Sequence, residues 1–356
     1  MSATESGPRP GREPTAAARA ELVRQIRAGG HLTDPRWRAA FEEVPRHLFV
    51  PYFFLATARG YQRLSGSDHD PERRARWLEG VYTDTALATY MRDGELVSSS
   101  SQPSLMAMML EDLRVGEREG AGGGCRVLEV GTGTGYNAAL MAHRLGAGRV
   151  TTVDLDEEIT GPARDRLAAA GYRPAVVTGD GALGCPERAP YDRIIATCAL
   201  PSVPTAWIEQ CTVGALILAP LATGLIALRV TEPTTVRAEG RFLDTPAYFV
   251  PLRAPVRTSV RGPVRVHART QAGAGPVPVG RRRPARRDGL PREVLRDERF
   301  HFLWSLAAGS LTPDEIVSLW RREGHPQRER FGVTVDGTEQ RAWLDSPGGP
   351  CRWLLG

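Results

Sequence analysis

The feature that most constrains this chain is a short apolar strand followed by a glycine-rich turn and a helix. Residues 126–130 read Arg-Val-Leu-Glu-Val, residues 131–135 read Gly-Thr-Gly-Thr-Gly, and a helical pattern covers residues 136–145. Further apolar strands, ending near Val153, Thr178, Thr197 and Ala219, alternate with helical patterns. Strands that alternate with helices are typical of a doubly wound parallel sheet. We therefore predict an α/β fold with a mostly parallel, Rossmann-like sheet.

The glycine turn indicates a nucleotide-like ligand. Glycine lets the chain turn tightly and lets a ligand approach the backbone, and the helix that follows presents unpaired N–H groups. The spacing is G-x-G-x-G, and Tyr136 stands next, so the third glycine of the dinucleotide fingerprint is missing. A tight turn without a ligand is the alternative reading.

Three acids near the predicted strand ends narrow the choice of ligand. Asp154 is placed to accept both ribose hydroxyls of an adenosine, and Asp180 lies where an adenine amino group would lie. Glu129 is suited to hold a cationic amine, directly or through water. An adenosine that carries an amino acid fits these acids better than a dinucleotide, so we expect S-adenosyl-L-methionine as cofactor and S-adenosyl-L-homocysteine as product. The alternatives are that Asp154 caps a helix, that Asp180 is a turn residue and that Glu129 is a structural acid.

Composition changes along the chain predict four regions. These are a disordered tail (1–15), a methyltransferase domain that opens with helices (16–254), an Arg/Pro/Gly-rich linker (255–293) and a small α+β accessory module (294–356). The chain of 356 residues has no lysine, and its net charge is +5. Ten arginines and no acid lie between Thr245 and Arg287, which suits either an acidic peptide partner or a solvated linker.

The sequence lacks the patterns that are typical of nucleic-acid binding, metal binding and membrane insertion. The arginine-rich stretch lacks the interleaved aromatics of single-strand nucleic-acid binders, so we expect no nucleic-acid partner. The five cysteines match no metal-ligand spacing, and we expect no metal and reduced thiols. No apolar run is long enough to span a bilayer, and the N-terminus lacks a signal-peptide core. We expect a cytoplasmic protein without a membrane partner.

Six blocks, in this order, resemble the protein-L-isoaspartate O-methyltransferases. They are residues 21–51 (with VPRHLFVP at the end), 99–103 (SSSQP), 127–136 (VLEVGTGTGY), 179–181 (GDG), 189–197 (APYDRIIAT) and 249–252 (FVPL). The resemblance covers residues 20–254, about two thirds of the chain. The first, second and fifth blocks are more specific than the glycine loop, which most methyltransferases share.

The resemblance implies methyl transfer from S-adenosylmethionine to a peptide carboxylate. It implies that Ser101 hydrogen-bonds the accepting carboxylate and is the catalytic residue. The residues expected to line the peptide groove are Ser99, Ser100, Phe249, Val250 and Pro251. The residues expected to bind the cofactor are Gln102, Glu129, Gly131, Thr132, Gly133, Thr134, Gly135, Asp154, Leu155, Asp180 and Gly181.

Departures from the family pattern concern the substrate. Residues 87–95 replace the usual loop before the serine motif, residues 52–80 are an insertion, and the last 100 residues are extra. The serine run 98–101 and the C-terminal extension resemble an actinobacterial branch associated with ribosomally made, modified peptides. We therefore expect methylation of an aspartate in a precursor peptide, leading to aspartimide or isoaspartate. General isoaspartate repair is the alternative, and a non-catalytic peptide-binding protein would require a broken cofactor site.

Overall fold

The computed structural model describes residues 12–58, 60–119, 124–254 and 294–355. The expected linker at 255–293 lies outside the described residues, as does the expected tail up to residue 11. The first helix already begins at Arg12, so residues 12–15 are helical and were wrongly assigned to the tail. In the part of the chain that the structure describes, no helix is both long and apolar enough to cross a membrane.

The elements are named in chain order. The helices are α1 (Arg12–Ala28), α2 (Pro35–Glu43), α3 (Arg46–Phe49), α4 (Pro71–Val81), α5 (Pro103–Asp112), α6 (Gly116–Glu119), α7 (Tyr136–Leu145), α8 (Glu157–Ala169), α9 (Thr205–Glu209), α10 (Glu298–Ala307) and α11 (Pro313–Arg322). The strands are β1 (Tyr52–Thr57), β2 (Gly60–Ser65), β3 (Leu87–Arg92), β4 (Glu95–Ser100), β5 (Val127–Val130), β6 (Val150–Asp154), β7 (Ala175–Thr178), β8 (Tyr191–Ala196), β9 (Cys211–Leu221), β10 (Gly224–Glu232), β11 (Arg237–Pro246), β12 (Phe331–Asp336), β13 (Glu339–Leu344) and β14 (Arg352–Leu354).

The chain divides into two compact units. The first unit comprises the residues up to 112 together with 133–148 and 161–174. The second unit comprises residues 113–132, 149–160 and 175 to the C-terminus, and it holds a ten-stranded sheet. The order of that sheet is β14-β13-β12-β11-β10-β9-β8-β5-β6-β7.

The predicted α/β alternation builds the parallel half of this sheet. β5 pairs in parallel with β6 and β8, β6 with β7, and β8 with β9. All four residues of β5 are buried, as expected of a strand inside a parallel sheet. The chain leaves β5 toward β6 and β7 and returns to β8 on the other side of β5. Open α/β sheets bind ligands outside the carboxyl ends of the strands at such a switch point.

The other half of the sheet is antiparallel, so the sheet as a whole is mixed. β9 to β14 form successive antiparallel pairs. The C-terminal residues are therefore no separate module, because β12 pairs with β11 over Gly332–Asp336 and so continues the sheet. Phe302 and Trp320 from the C-terminal helices are fully buried in the same core as β10.

The first unit contains a four-stranded antiparallel sheet of order β2-β1-β3-β4. The predicted insertion at 52–80 folds into β1, β2 and α4. Phe53 of β1 is buried and packs closely on α4, where a Cβ at Gly80 would lie 2.4 Å from its ring. Residues 87–95 form a hairpin and not a loop, because Asp93 and Gly94 both have positive φ, as a type I′ turn requires.

Candidate active site

The glycine turn follows β5 and requires glycine at each of its three glycine positions. Gly131, Gly133 and Gly135 have φ of 103°, 51° and 86°, the left-handed region that side chains avoid. A Cβ at Gly131 would also lie 2.5 Å from the hydroxyl of Thr197. Gly135 is the N-cap of α7 and gives that helix no side-chain cap. Because the first turn of a helix presents free amides, the turn suits an anionic ligand group such as a carboxylate.

Glu129 lies beneath this turn. Its side chain is fully buried, and its carboxylate accepts a hydrogen bond of 2.6 Å from the Thr152 hydroxyl. Thr152 in turn lies 2.8 Å from the hydroxyl of Thr132, which belongs to the glycine turn. A continuous hydrogen-bonded chain thus connects the buried acid of β5 to the turn, so Glu129 supports the turn from inside the second unit.

Asp154 ends β6, at the strand end next to β5. Its Oδ1 accepts hydrogen bonds from the amide of Leu155 at 2.8 Å and from Arg253 at 3.4 Å. The same guanidinium lies 2.5 Å from Oδ2 of Asp156. Arg253 lies two residues before the expected linker, and its contact with these acids was not predicted, since one arginine in an arginine-rich stretch has no distinguishing sequence pattern.

Asp180 and Gly181 follow β7 at the same edge of the sheet. Asp180 accepts a hydrogen bond of 2.9 Å from the amide of Ala182 and so caps a short 3₁₀ turn. A Cβ at Gly181 would lie 2.7 Å from Val130 and 3.1 Å from Leu252, so only glycine fits here without displacement. The second unit therefore brings together the ends of β5, β6 and β7 and the segment that contains Leu252.

A buried thiol lies near the acids at this edge of the sheet. Cys198 follows β8, and its thiol pKa is raised to about 12, first by burial and then by the negative charges of Asp154 and Glu129. Arg253 opposes that shift with its positive charge. The thiol of Cys198 is therefore uncharged at neutral pH.

Residues 247–252 form an extended segment without regular strand structure. Ala199 donates a hydrogen bond of 2.9 Å to the carbonyl of Val250 and accepts one of 2.9 Å from the amide of Leu252. An isolated parallel bridge joins Ala199 and Pro251. Within the described residues, the backbone groups of Phe249 and Pro251 make no hydrogen bond. The segment therefore has one paired and one open edge.

In the first unit, the serine run lies against the glycine turn. Ser98 and Ser100 are buried in β4, whereas Ser99 and Ser101 are half-buried. A Cβ placed on Gly133 would lie 3.5 Å from the hydroxyl of Ser98 and 3.5 Å from the carbonyl oxygen of Ser99. Two motifs that are about 30 residues apart in the sequence thus meet in the fold.

Arg46, which was not predicted as a site residue, organises the backbone around Ser101. Its side chain is fully buried, and burial lowers its pKa to about 10, so it stays charged at neutral pH. It donates hydrogen bonds of 2.7 to 3.4 Å to the carbonyls of Val81, Thr83, Thr85 and Ser101 and to the hydroxyl of Ser100. The sequence could have indicated this role, because an arginine inside the largely apolar stretch 44–51 must find buried hydrogen-bond acceptors.

Gln102 stands beside Ser101 but is engaged within the first unit. Its amide nitrogen donates to Asp84 at 3.2 Å and to the hydroxyl of Ser104 at 3.0 Å. Asp84 also accepts the backbone amide of Ser104 at the start of α5. These contacts give Gln102 a structural task, and its expected cofactor contact stays a prediction.

Comparison with known proteins identifies the family. The family model "Protein-L-isoaspartate(D-aspartate) O-methyltransferase (PCMT)" matches residues 73–252. A protein-L-isoaspartate O-methyltransferase of Methanoculleus marisnigri is 35% identical over 249 residues, which is 67% of this chain and 93% of that protein. One of Maricaulis maris is 35% identical over 202 residues, 56% of this chain and 78% of that protein.

A solved structure supports the fold over a larger part of the chain. The structure named protein-L-isoaspartate O-methyltransferase has a TM-score of 0.56 and 24% identity, and it covers 89% of this chain and 96% of its own. The Rossmann-like fold expected from the sequence is confirmed. The family match also confirms two expectations from the sequence, which are methyltransferase activity and S-adenosyl-L-methionine as the cofactor. The chain belongs to the protein-L-isoaspartate(D-aspartate) O-methyltransferase family.

Proposed function

We propose that this enzyme transfers the methyl group of S-adenosyl-L-methionine to the carboxylate of isoaspartyl residues in peptides or proteins. The observation that carries the proposal is the contact between the serine run and the glycine turn. It lies within one unit, at Gly133, Ser98 and Ser99. A carboxylate held at the serines would thus lie beside a cofactor held at the turn.

The residues present fit the cofactor. The positive N-terminal end of α7 suits its carboxylate, and the acid Asp154 suits its ribose hydroxyls. In this proposal Gly131–Gly135 and Glu129 bind or support the methionine part, Asp154 and Leu155 the ribose, and Asp180 and Gly181 the adenine.

The chemistry needs position more than acid–base catalysis. Bound S-adenosylmethionine supplies an electrophilic methyl group on a sulfonium. An aspartyl-type carboxyl group has a pKa of about 3.9 and is ionised at neutral pH, so no general base is required. The Ser101 hydroxyl makes no hydrogen bond to a described residue, and we assign it the role of donor to the accepting carboxylate. Orientation of this kind supplies several kcal/mol of a barrier.

The open edge of residues 249–252 supports a peptide substrate. An extended peptide binds an exposed strand edge through main-chain hydrogen bonds. The N–H and carbonyl of Phe249 and the carbonyl of Pro251, which has no N–H, are available for such bonds among the described residues, and Ala199 holds the opposite edge. We assign Phe249, Val250 and Pro251 of the second unit to peptide binding. Ser99 and Ser100 of the first unit keep the peptide-binding role expected from the sequence.

The narrower function expected from the sequence, aspartate methylation in a ribosomally made precursor peptide, is a second candidate. The serine run and the ten arginines without an acid between Thr245 and Arg287 favour it. The C-terminal extension no longer does, because a solved protein-L-isoaspartate O-methyltransferase is similar over 89% of this chain. General isoaspartate methylation is therefore the better supported of the two functions.

Mass spectrometry of three peptides separates these functions. The enzyme and S-adenosylmethionine are incubated with an isoaspartyl peptide, with its aspartyl twin, and with any precursor peptide encoded beside the gene. We expect the isoaspartyl peptide to gain one methyl group and its aspartyl twin to remain unchanged. Methylation or dehydration of the precursor alone would instead establish the second candidate. Absence of any transfer, with S-adenosylhomocysteine still bound, would contradict both.

A further inference from the structure

Arg253 lies at the border between the family core and the rest of this chain. The family model ends at Leu252, so Arg253 is the first residue beyond it. Its guanidinium bridges two carboxylates at the end of β6, at 3.4 Å from Asp154 and 2.5 Å from Asp156. The side chain is 28% exposed, so the ion pairs are partly shielded from solvent.

The other end of the same segment is fastened to the C-terminal helices. The hydroxyl of Tyr248 donates a hydrogen bond of 2.7 Å to the carboxylate of Glu298 in α10. Burial and that carboxylate raise the pKa of Tyr248, so its hydroxyl remains a donor at all ordinary pH values. The same Glu298 oxygen lies 3.6 Å from the buried guanidinium of Arg328.

Between these two anchors the segment has few bonds of its own. In the described structure, the backbone from Tyr248 to Arg253 makes two hydrogen bonds, both to Ala199. A segment outside regular secondary structure with so few hydrogen bonds is held in place by its side chains or is mobile. Its two end side chains are the ones that carry polar anchors.

We propose that Arg253 and Tyr248 are positioning residues that hold residues 248–253 in register beside the cofactor site. Arg253 ties the peptide-binding edge to the strand end that bears the ribose acid, and Tyr248 ties it to α10 through Glu298. The C-terminal helices thereby take part in substrate binding. This inference rests on the proposed function, since it assigns the anchored edge to the peptide substrate.

If the two side chains act as anchors, loss of one should weaken peptide binding without weakening cofactor binding. In Arg253→Gln the segment loses one anchor, so we expect the KM for an isoaspartyl peptide to rise about fivefold, as loss of a partly exposed charge network allows. Binding of S-adenosylhomocysteine should be retained or tightened, because Asp154 loses a competing cation. Arg253→Lys, which keeps the charge, should recover most of the KM, and Tyr248→Phe should raise it without changing kcat.

Arg237→Gln is the matched control. Arg237 of β11 forms an ion pair of 3.0 Å with Asp336 of β12, and among the described residues it has no hydrogen bond or ion pair with residues 248–253. Its loss should leave the KM for peptide unchanged. An unchanged KM in Arg253→Gln, with the wild-type protein active, would overturn the anchor proposal and leave the proposed function standing.

Hydrogen exchange tests the anchors without any activity. Amides of residues 247–253 in the free protein should exchange faster in Arg253→Gln and Tyr248→Phe than in the wild type or in Arg237→Gln. Equal exchange in all four proteins would overturn the anchors even if no substrate peptide were found. Inactivity of the wild type on every peptide, combined with faster exchange in the two variants, would instead reject the assignment of this edge to a peptide substrate.

Discussion

At the scale of single residues, the site consists of groups with different tasks. Ser101 presents a hydroxyl without a described partner, while its carbonyl is held by Arg46. Asp154 presents a carboxylate at a strand end, where Leu155 and Arg253 already bind one of its oxygens. One residue is thus suited to the accepting carboxylate and the other to the cofactor, so substitutions at the two should have different effects.

We expect Ser101→Ala to lower kcat by about 10- to 100-fold, since a hydrogen bond to a charged group is worth about 1.5–3 kcal/mol. Affinity for S-adenosylhomocysteine should not change in this variant. Asp154→Ala should instead weaken that affinity, and calorimetric titration of both variants measures the difference. Ser67→Ala, a serine of the first unit outside the site, serves as control. Loss of cofactor affinity in Ser101→Ala would show that its role is misassigned.

At the scale of elements, the start of α2 shows how one side chain joins local and tertiary structure. Asp34 caps the helix by accepting hydrogen bonds from the amides of Arg36 and Trp37. Its second oxygen lies 2.7 Å from Arg144 of α7. Burial tends to raise the pKa of Asp34, but the hydrogen bonds and the charge of Arg144 outweigh it, so the pKa falls below the ordinary 3.8.

Asp34→Ala should lower the free energy of unfolding by about 1–2 kcal/mol at neutral pH, because both the cap and the ion pair are lost. Asp34→Asn keeps a capping oxygen and should lose less. Because the pKa of Asp34 is lower in the folded state, its ionised carboxylate stabilises the fold at pH values above the ordinary pKa. This stabilisation is lost as the pH falls through the lowered pKa. The difference in the free energy of unfolding between the wild type and Asp34→Asn, measured by urea denaturation, should therefore become smaller below about pH 4. A gap that is independent of pH would contradict the ion-pair contribution.

At the scale of the whole molecule, the C-terminal residues complete the second unit. Phe302 of α10 is fully buried, with ring centroids 4.8 Å from Phe242 of β11 and 5.5 Å from Phe331 of β12. A Cβ at Gly224 of β10 would lie 2.7 Å from the same ring. The helix thus packs on strands that precede the expected linker as well as on strands that follow it.

A chain ended at Ala254 should therefore aggregate, because it would expose the edge of β11 and the apolar face beneath α10. Phe302→Ala in the full chain should lower the free energy of unfolding by about 3–5 kcal/mol, measured by urea denaturation. A soluble, cooperatively folded chain ending at Ala254 would show that the C-terminal residues are a separate module after all.

The elements around the candidate site that the sequence predicted correctly are those with local causes. The glycine turn and Asp154 follow buried strands, and strand, turn and helix are recognised from neighbouring residues. Arg253 could not be assigned in this way, because its partner Asp154 lies 99 positions earlier in the chain. Arg46 and Ser101 are likewise separated by 55 positions.

The sequence by itself determined the α/β order of the central strands, the nature of the cofactor and the family. These depend on hydrophobic periodicity, on glycine where φ is positive and on motif order, all of which are local. Only the tertiary structure decided that the C-terminal strands extend the same sheet, that Arg46 holds the serine run, and that Arg253 binds the acids of β6. The physical reason is that strand pairing and buried charge partners arise between residues far apart in the chain, whose meeting no local pattern specifies.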